Sequence, residues 1–255
     1  MIQTNYFSNM KNIHYTMEEF ESFAGALRAM ASYVRSKGPD FVFAPVMGSV
    51  PLVDALRAVD RKFPTEIVEY PPNSSRFDNR EELMNKWYGN FLRLNYHGEP
   101  LNVVCIDEVI SGSSAMKGNT EFQKALNDFA DEKQSPKIKR KVGYLMAAVG
   151  EQPDCGRRNG GLISLKNNGQ LKIFETQKIL TCDNLEFNPV RLRVKETTKS
   201  GNNHIYEPVI EKFEVTPEYL TLLRNLAKHV GGDPSFTTMQ NLCKIQTSID
   251  KYLKN

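Results

Sequence analysis

Short unbroken apolar runs alternate with longer stretches whose apolar residues recur at helical spacing, a succession that predicts strand–helix–strand units along most of the chain. Phe20, Phe23, Ala24, Leu27, Ala31 and Val34 stripe one face of a helix. Thr16 and Glu19 before them have capping-box spacing, and Gly38-Pro39 stops the segment. An apolar strand starts at Phe41, runs into the turn Met47-Gly48-Ser49, and gives way to a helix over 52–59 that Pro51 opens. Further strands are expected at 66–70, 103–106 and 142–149, with a helix over about 118–130 between the last two. The run at 103–106 is apolar without interruption, which suits a central strand buried on both faces. Residues 160–176 read as a β-hairpin turning at Asn167-Asn168-Gly169. Beyond Lys178 an antiparallel pair is expected at 190–195 and 205–215, followed by a helix from Thr216-Pro217 to Gly231-Gly232. Met239, Leu242, Ile245, Ile249 and Leu253 stripe a last helix, and such a stripe marks core or an interface. The order predicts an α/β fold, with a mostly parallel sheet flanked by helices over 1–177 and a C-terminal α+β appendage over 178–255.

Composition narrows the classes. With 255 residues and 40% hydrophobic content the chain can build a substantial core. A net charge of +3 is too small to mark a nucleic-acid binder by itself. The basic clusters at 137–141 and at Arg191, Arg193 and Lys195 read as solvated faces, so nucleic acid stands low among expected partners. The 4 cysteines lack the close spacing of a zinc or redox motif, and Cys105 reads as a small core residue. No apolar run reaches the ~18 residues of a membrane span, and the N-terminus carries no signal-peptide pattern. A cytoplasmic protein without a membrane partner is therefore expected. The chain holds no GxxxxGK[ST], GxGxxG or HExxH motif, and His14, His97, His204 and His229 are isolated. Nothing supports a Ser-His-Asp triad.

Asp107 and Glu108 follow the strand at 103–106, and the loop Ser111-Gly112-Ser113-Ser114 follows them. In open α/β sheets ligands bind beyond the carboxyl ends of the strands, where both acids would emerge. Adjacent carboxylates accept hydrogen bonds from vicinal sugar hydroxyls or gather a hydrated divalent cation. A loop of hydroxyls and glycine at a helix start offers N–H groups to an anion, and Gly48 and Ser49 repeat that arrangement before the helix at 52–59. The same residues also suit a plain connection whose polar side chains cap the next helix.

The stretch VVCIDEVISGSSAM at 103–116 resembles the phosphoribosyl-pyrophosphate (PRPP) motif of type I phosphoribosyltransferases: a hydrophobic strand, two acids, two hydrophobics and a loop rich in Thr, Ser and Gly. With one residue deleted, Ser111, Gly112 and Ser114 take the places of Thr, Gly and Thr. The resemblance covers about 16–175 and implies the fold of that family. It implies an enzyme that binds PRPP with Mg²⁺ and transfers the phosphoribosyl group to a nucleobase-like acceptor, releasing pyrophosphate. Asp107 and Glu108 would hold the ribose hydroxyls and, through water, the metal, while Ser111, Gly112, Ser113 and Ser114 would hold the 5′-phosphate. Met47, Gly48 and Ser49 would face pyrophosphate, with Met47 standing where many members carry Lys or Arg. The family also places a mobile lid between its core strands. Here that lid is about 71–96, opening with Pro71-Pro72-Asn73-Ser74-Ser75, and Arg76, Arg80 and Lys86 are its candidate catalytic bases. Read without the resemblance, 78–94 suits a solvated helix with Glu81, Glu82 and Lys86 pairing along it. A second functional reading is a catalytically inactive module that senses PRPP or a nucleotide in regulation or defence. Its appendage would engage a protein partner or a second copy.

Overall fold

The computed structural model describes residues 15–46, 48–151, 159–180, 190–199, 203–231 and 239–254. In chain order these form α1 (Met17–Ser36), β1 (Phe41–Phe43), α2 (Val50–Val59), β2 (Val68–Glu69), α3 (Arg80–Asn95), β3 (Leu101–Val109) and α4 (Ser113–Glu132). There follow α5 (Ile138–Lys141), β4 (Val142–Glu151), α6 (Gly160–Asn167), β5 (Leu171–Thr176), β6 (Val190–Lys199), β7 (Asn203–Val215), α7 (Pro217–His229) and α8 (Met239–Leu253).

The protein is α/β, with a five-stranded parallel sheet in the order β2-β1-β3-β4-β5. The winding reverses between β1 and β3, and such a switch point opens a crevice beyond the carboxyl ends of those two strands. Helices cover both faces. Phe20, Phe23, Leu27, Leu52, Leu56, Leu222 and Leu226 from α1, α2 and α7 pack on one face. Trp87, Tyr88, Phe91, Phe122 and Phe129 from α3 and α4 pack on the other. The Thr16–Glu19 capping box at α1 is formed in both directions.

Where its side chains are described, the C-terminal stripe belongs to the core. Ile245, Ile249 and Tyr252 of α8 are fully buried. Ser248 Oγ accepts the Tyr70 N–H at 2.8 Å, while Lys251 Nζ and the Tyr252 hydroxyl both donate to Glu69 Oε1 at 2.9 Å. Through these bonds α8 runs along the end of β2 and shields that sheet edge. β6 and β7 form a separate antiparallel ribbon, attached where Tyr206 exchanges backbone and carboxylate hydrogen bonds with Asp78 and where Ile210 N–H meets Gln246.

Three expectations are corrected. Residues 160–176 are not a hairpin but α6 followed by β5, which pairs in parallel with β4. Leu162 and Leu165 bury one side of α6, and the Asn-Gly signal at its end serves as a helix stop, with Gly169 at φ 71°. α4 starts at Ser113, not near 118, so the expected loop shrinks and Ser113 and Ser114 enter the helix's first turn. Most of the segment expected as a lid is α3, whose Met84, Trp87, Tyr88, Phe91 and Leu92 are fully buried. A helix so embedded cannot swing as a flap without opening the core, and the irregular chain is confined to 70–79. It is not a solvated helix either.

Candidate functional site

β3 pairs with β4 from Leu101–Val142 through Val109–Gly150, so the strand continues past the apolar run and contains both acids. Successive strand residues point to opposite faces. Asp107 therefore shares a face with Cys105 and Val109, beneath α3 and α4, and Glu108 shares one with Val104 and Ile106. The two acids are not a side-by-side pair. They converge on one pocket only because they lie at the strand's end.

That pocket has a volume of about 210 Å³ and is lined by Pro45, Val46, Gly48, Asn73, Asp107, Glu108 and residues 110–115. It is smaller than the roughly 300–1,000 Å³ of sites that enclose drug-sized ligands. A sugar phosphate is nearer its scale. It sits at the switch point, between the chain leaving β1 and the chain leaving β3.

Asp107 is 7% exposed. Its Oδ1 accepts the Ser49 hydroxyl at 2.7 Å and the Glu108 N–H at 2.9 Å. Burial pushes its carboxyl up to about 6, against the opposing pull of those two hydrogen bonds and of Arg80. Glu108 Oε1 accepts the Leu180 N–H at 2.7 Å, which ties the chain after β5 to the site. Beneath Asp107 lies Cys105, a free and fully enclosed thiol that burial, and then the Asp107 charge, pushes well up, so it behaves as a small apolar residue.

The segment 111–114 has the geometry of a helix start. Gly112 adopts φ 77°, and a Cβ there would come within 2.7 Å of Leu162 Cδ2, so both backbone and packing demand glycine. Ser111 Oγ donates to Ser113 Oγ at 3.2 Å, and Asn159 Nδ2 donates to the Ser111 carbonyl at 3.2 Å. The first N–H groups of α4 lack intrahelical acceptors and face the pocket side of the fold. Gly48 lines the opposite wall, and Ser49 precedes α2 with its hydroxyl on Asp107. Met47 lies outside the described residues.

The candidate bases separate. Arg80 is half-buried at the start of α3 and donates through Nε to Asn73 Oδ1 at 2.8 Å and through Nη2 to Ser114 Oγ at 3.4 Å. Burial lowers the affinity of its guanidinium for the proton, and the Asp107 charge offsets part of that. Arg76 is exposed, and its backbone N–H, not its guanidinium, bonds Ser74 Oγ. Lys86 is exposed and does not line the pocket. Six residues along a helix turn it about 240° and 9 Å away from Arg80.

Sequence patterning missed Pro45, Val46, Asn73, Ile110 and Ala115 among the lining residues, of which Asn73 and Ile110 bear most on the site. Asn73 carries no motif and reaches the pocket only because the loop after β2 folds onto α4, where its Nδ2 donates to the Ser114 carbonyl at 3.1 Å. Ile110 is 54% exposed at the pocket lip, an apolar surface beside polar groups. Its place as the second hydrophobic after the acids was the available signal. Of the basic clusters, Lys137, Lys139, Arg140, Lys141 and Arg193 are exposed, and Lys195, half-buried, pairs with Glu207 at 3.1 Å. Among the described residues no helix is long and apolar enough to cross a membrane.

Set against protein-family models, curated proteins and solved structures, the chain finds no match.

Proposed function

We propose that this protein binds PRPP with Mg²⁺ and transfers its phosphoribosyl group to a nucleobase-like acceptor, as a type I phosphoribosyltransferase does. The observation that carries the reading is the pocket at the switch point of a parallel sheet, lined by Asp107, Glu108, Gly48 and the Ser111–Ser114 segment. Each part has a chemical task. The N–H groups and hydroxyls at the start of α4, where only long bonds of 3.2–3.4 Å engage the Ser111, Ser113 and Ser114 hydroxyls, suit the 5′-phosphate. Asp107, whose Oδ1 is already engaged, offers Oδ2 to a ribose hydroxyl, and Glu108, whose Oε1 accepts the Leu180 N–H, lines the same pocket from the other face of the sheet. Arg80 does not line the pocket, but its Nη2 reaches Ser114 Oγ at 3.4 Å and so brings positive charge beside the start of α4.

Mg²⁺ fits this donor set through water. Among the described residues no group of three or more His, Cys, Asp or Glu forms a protein cage. Mg²⁺ usually keeps several waters and is held by one or two carboxylates together with substrate phosphates, and Asp107 and Glu108 provide that number. When bound it would offset charge on the departing pyrophosphate. The chain's own residues fix the sugar so that the acceptor nitrogen can approach the reacting carbon in line.

One observation favours the second reading, a PRPP- or nucleotide-sensing module without turnover. The segment expected to close over the substrate is built into the core as α3, which leaves water access to the pocket. Calorimetry with PRPP, with and without Mg²⁺, tests both in wild type and in Asp107→Asn/Glu108→Gln. Metal-dependent binding lost in the variant supports the site. Pyrophosphate release that requires an added base then separates the enzyme from the sensor, and no binding in wild type refutes both.

A further inference from the structure

Asn73 is a polar side chain only 5% exposed in an irregular loop. Its backbone is pinned, because the N–H groups of Val46 and of Asn73 itself both donate to the Pro71 carbonyl at 2.9 Å. Its carboxamide is engaged at both ends: Nδ2 donates to the Ser114 carbonyl, and Oδ1 accepts from both Nε and Nη2 of Arg80. Reversing the amide would set donor against donor, so the partners dictate its orientation. A Cβ at Gly118 would lie 3.2 Å from Nδ2, which is why α4 lets the carboxamide approach there.

Arg80 is poorly placed for its own helix. It stands in the first turn of α3, where the helix dipole disfavours a cation, after Asn79 in a left-handed conformation that supplies no side-chain cap. Its tertiary partners Asn73 and Ser114 account for its orientation, and among the described residues no Lys or Arg side chain lines the pocket itself. Resting on the phosphate-binding reading above, we infer that Asn73 is a positioning residue: it holds the Arg80 guanidinium against the first turn of α4, so that the remaining N–H donors meet the ligand's phosphate. A fork held in advance loses little rotamer freedom on binding, which is how a residue that does not itself neutralise charge raises affinity for a phosphate ester.

The test is a double-mutant cycle with Asn73→Ala, Arg80→Ala and the pair, read as PRPP affinity by calorimetry at low and high salt. If Asn73 acts through Arg80, each single change weakens binding about tenfold or more and flattens the salt dependence, and the pair is no worse than Arg80→Ala. Arg80→Lys fails to restore affinity, because an ammonium cannot span Asn73 and the phosphate together. Additive losses, or an Asn73→Ala variant that binds normally, overturn the inference. A second readout needs no ligand: the Arg80 Nε–H resonance, followed by ¹⁵N NMR, is protected from solvent exchange in wild type and loses that protection in Asn73→Ala, because Nε donates to Asn73 Oδ1. If wild type binds no PRPP, the phosphoribosyl reading fails, and this protection alone decides whether Asn73 positions Arg80. An Asn73→Ala protein that folds with unchanged protection refutes it, and Asn73→Ser serves if the alanine variant does not fold.

Discussion

Replacing Asp107 with Asn is expected to stabilise the protein at neutral pH while destroying its site. The carboxyl rises from its ordinary 3.8 to about 6 in the folded chain, because burial disfavours the charge more than its hydrogen bonds favour it. At ~1.4 kcal/mol for each pH unit, that displacement corresponds to about 3 kcal/mol. Its sign follows from proton counting. Between pH 3.8 and about 6 the folded state holds a proton that the unfolded state has released, so stability falls as pH rises through that window and stays lower above it. Asn carries no charge, and its Oδ1 can still accept the Ser49 hydroxyl and the Glu108 N–H that Asp107 Oδ1 accepts now. Urea unfolding of both proteins from pH 4 to 8 isolates the effect, because other titrating groups cancel in the difference. Near pH 4 the two should coincide, and near pH 7.5 the variant should be more stable by about 3 kcal/mol, or about 6–12 °C in Tm. A difference that does not change with pH would refute the reasoning.

Gly112→Ala should cost about 1–3 kcal/mol by urea unfolding and weaken PRPP binding, since φ 77° and Leu162 both oppose a Cβ; combined with Leu162→Ala, itself costly in the core, the loss should be smaller than the sum of the two single losses. Ile249→Ala should cost about 2–5 kcal/mol, because the side chain is fully buried between α8 and the sheet; a loss below ~1 kcal/mol would show that α8 contributes little to the core. Lys86→Ala should leave PRPP affinity unchanged within about twofold, as expected of an exposed residue outside the pocket. Ile110→Ser should leave Tm unchanged but lower affinity for a nucleoside monophosphate more than for ribose 5-phosphate, since the exposed side chain at the lip can meet only the base; equal losses by calorimetry would remove it from that role.

Local patterning was enough for the elements whose signals are short-range. The α1 capping box spans four residues, the apolar run at 103–106 has to be buried on both faces, and the spacing of Ile245 and Ile249 closes one helical face. The α/β layer structure followed from those periods, because each apolar face must be covered by another element. Signals shared by two structures misled. Asn168-Gly169 serves a hairpin turn and a helix stop equally well, since both need a residue at positive φ, and only the burial of Leu162 and Leu165 decided for the helix. The polar stretch 78–94 hid Trp87, Tyr88 and Phe91 among charges, and their burial depends on the sheet and α8 lying against them.

The site divides in the same way. The sequence by itself determined that two acids, a glycine and three serines follow a buried strand, because covalent order places them within eight residues of one another. Tertiary structure decided what they do. Pairing with β4 extended β3 through Val109 and turned Asp107 and Glu108 to opposite faces, burial set the Asp107 carboxyl, and folding of the loop after β2 brought Asn73 and Arg80 onto Ser114. Periodicity reports which face of an element is apolar. It carries no information on which polar groups meet across 41 residues of chain, and those meetings are fixed by packing and by the need of each buried polar atom for a partner.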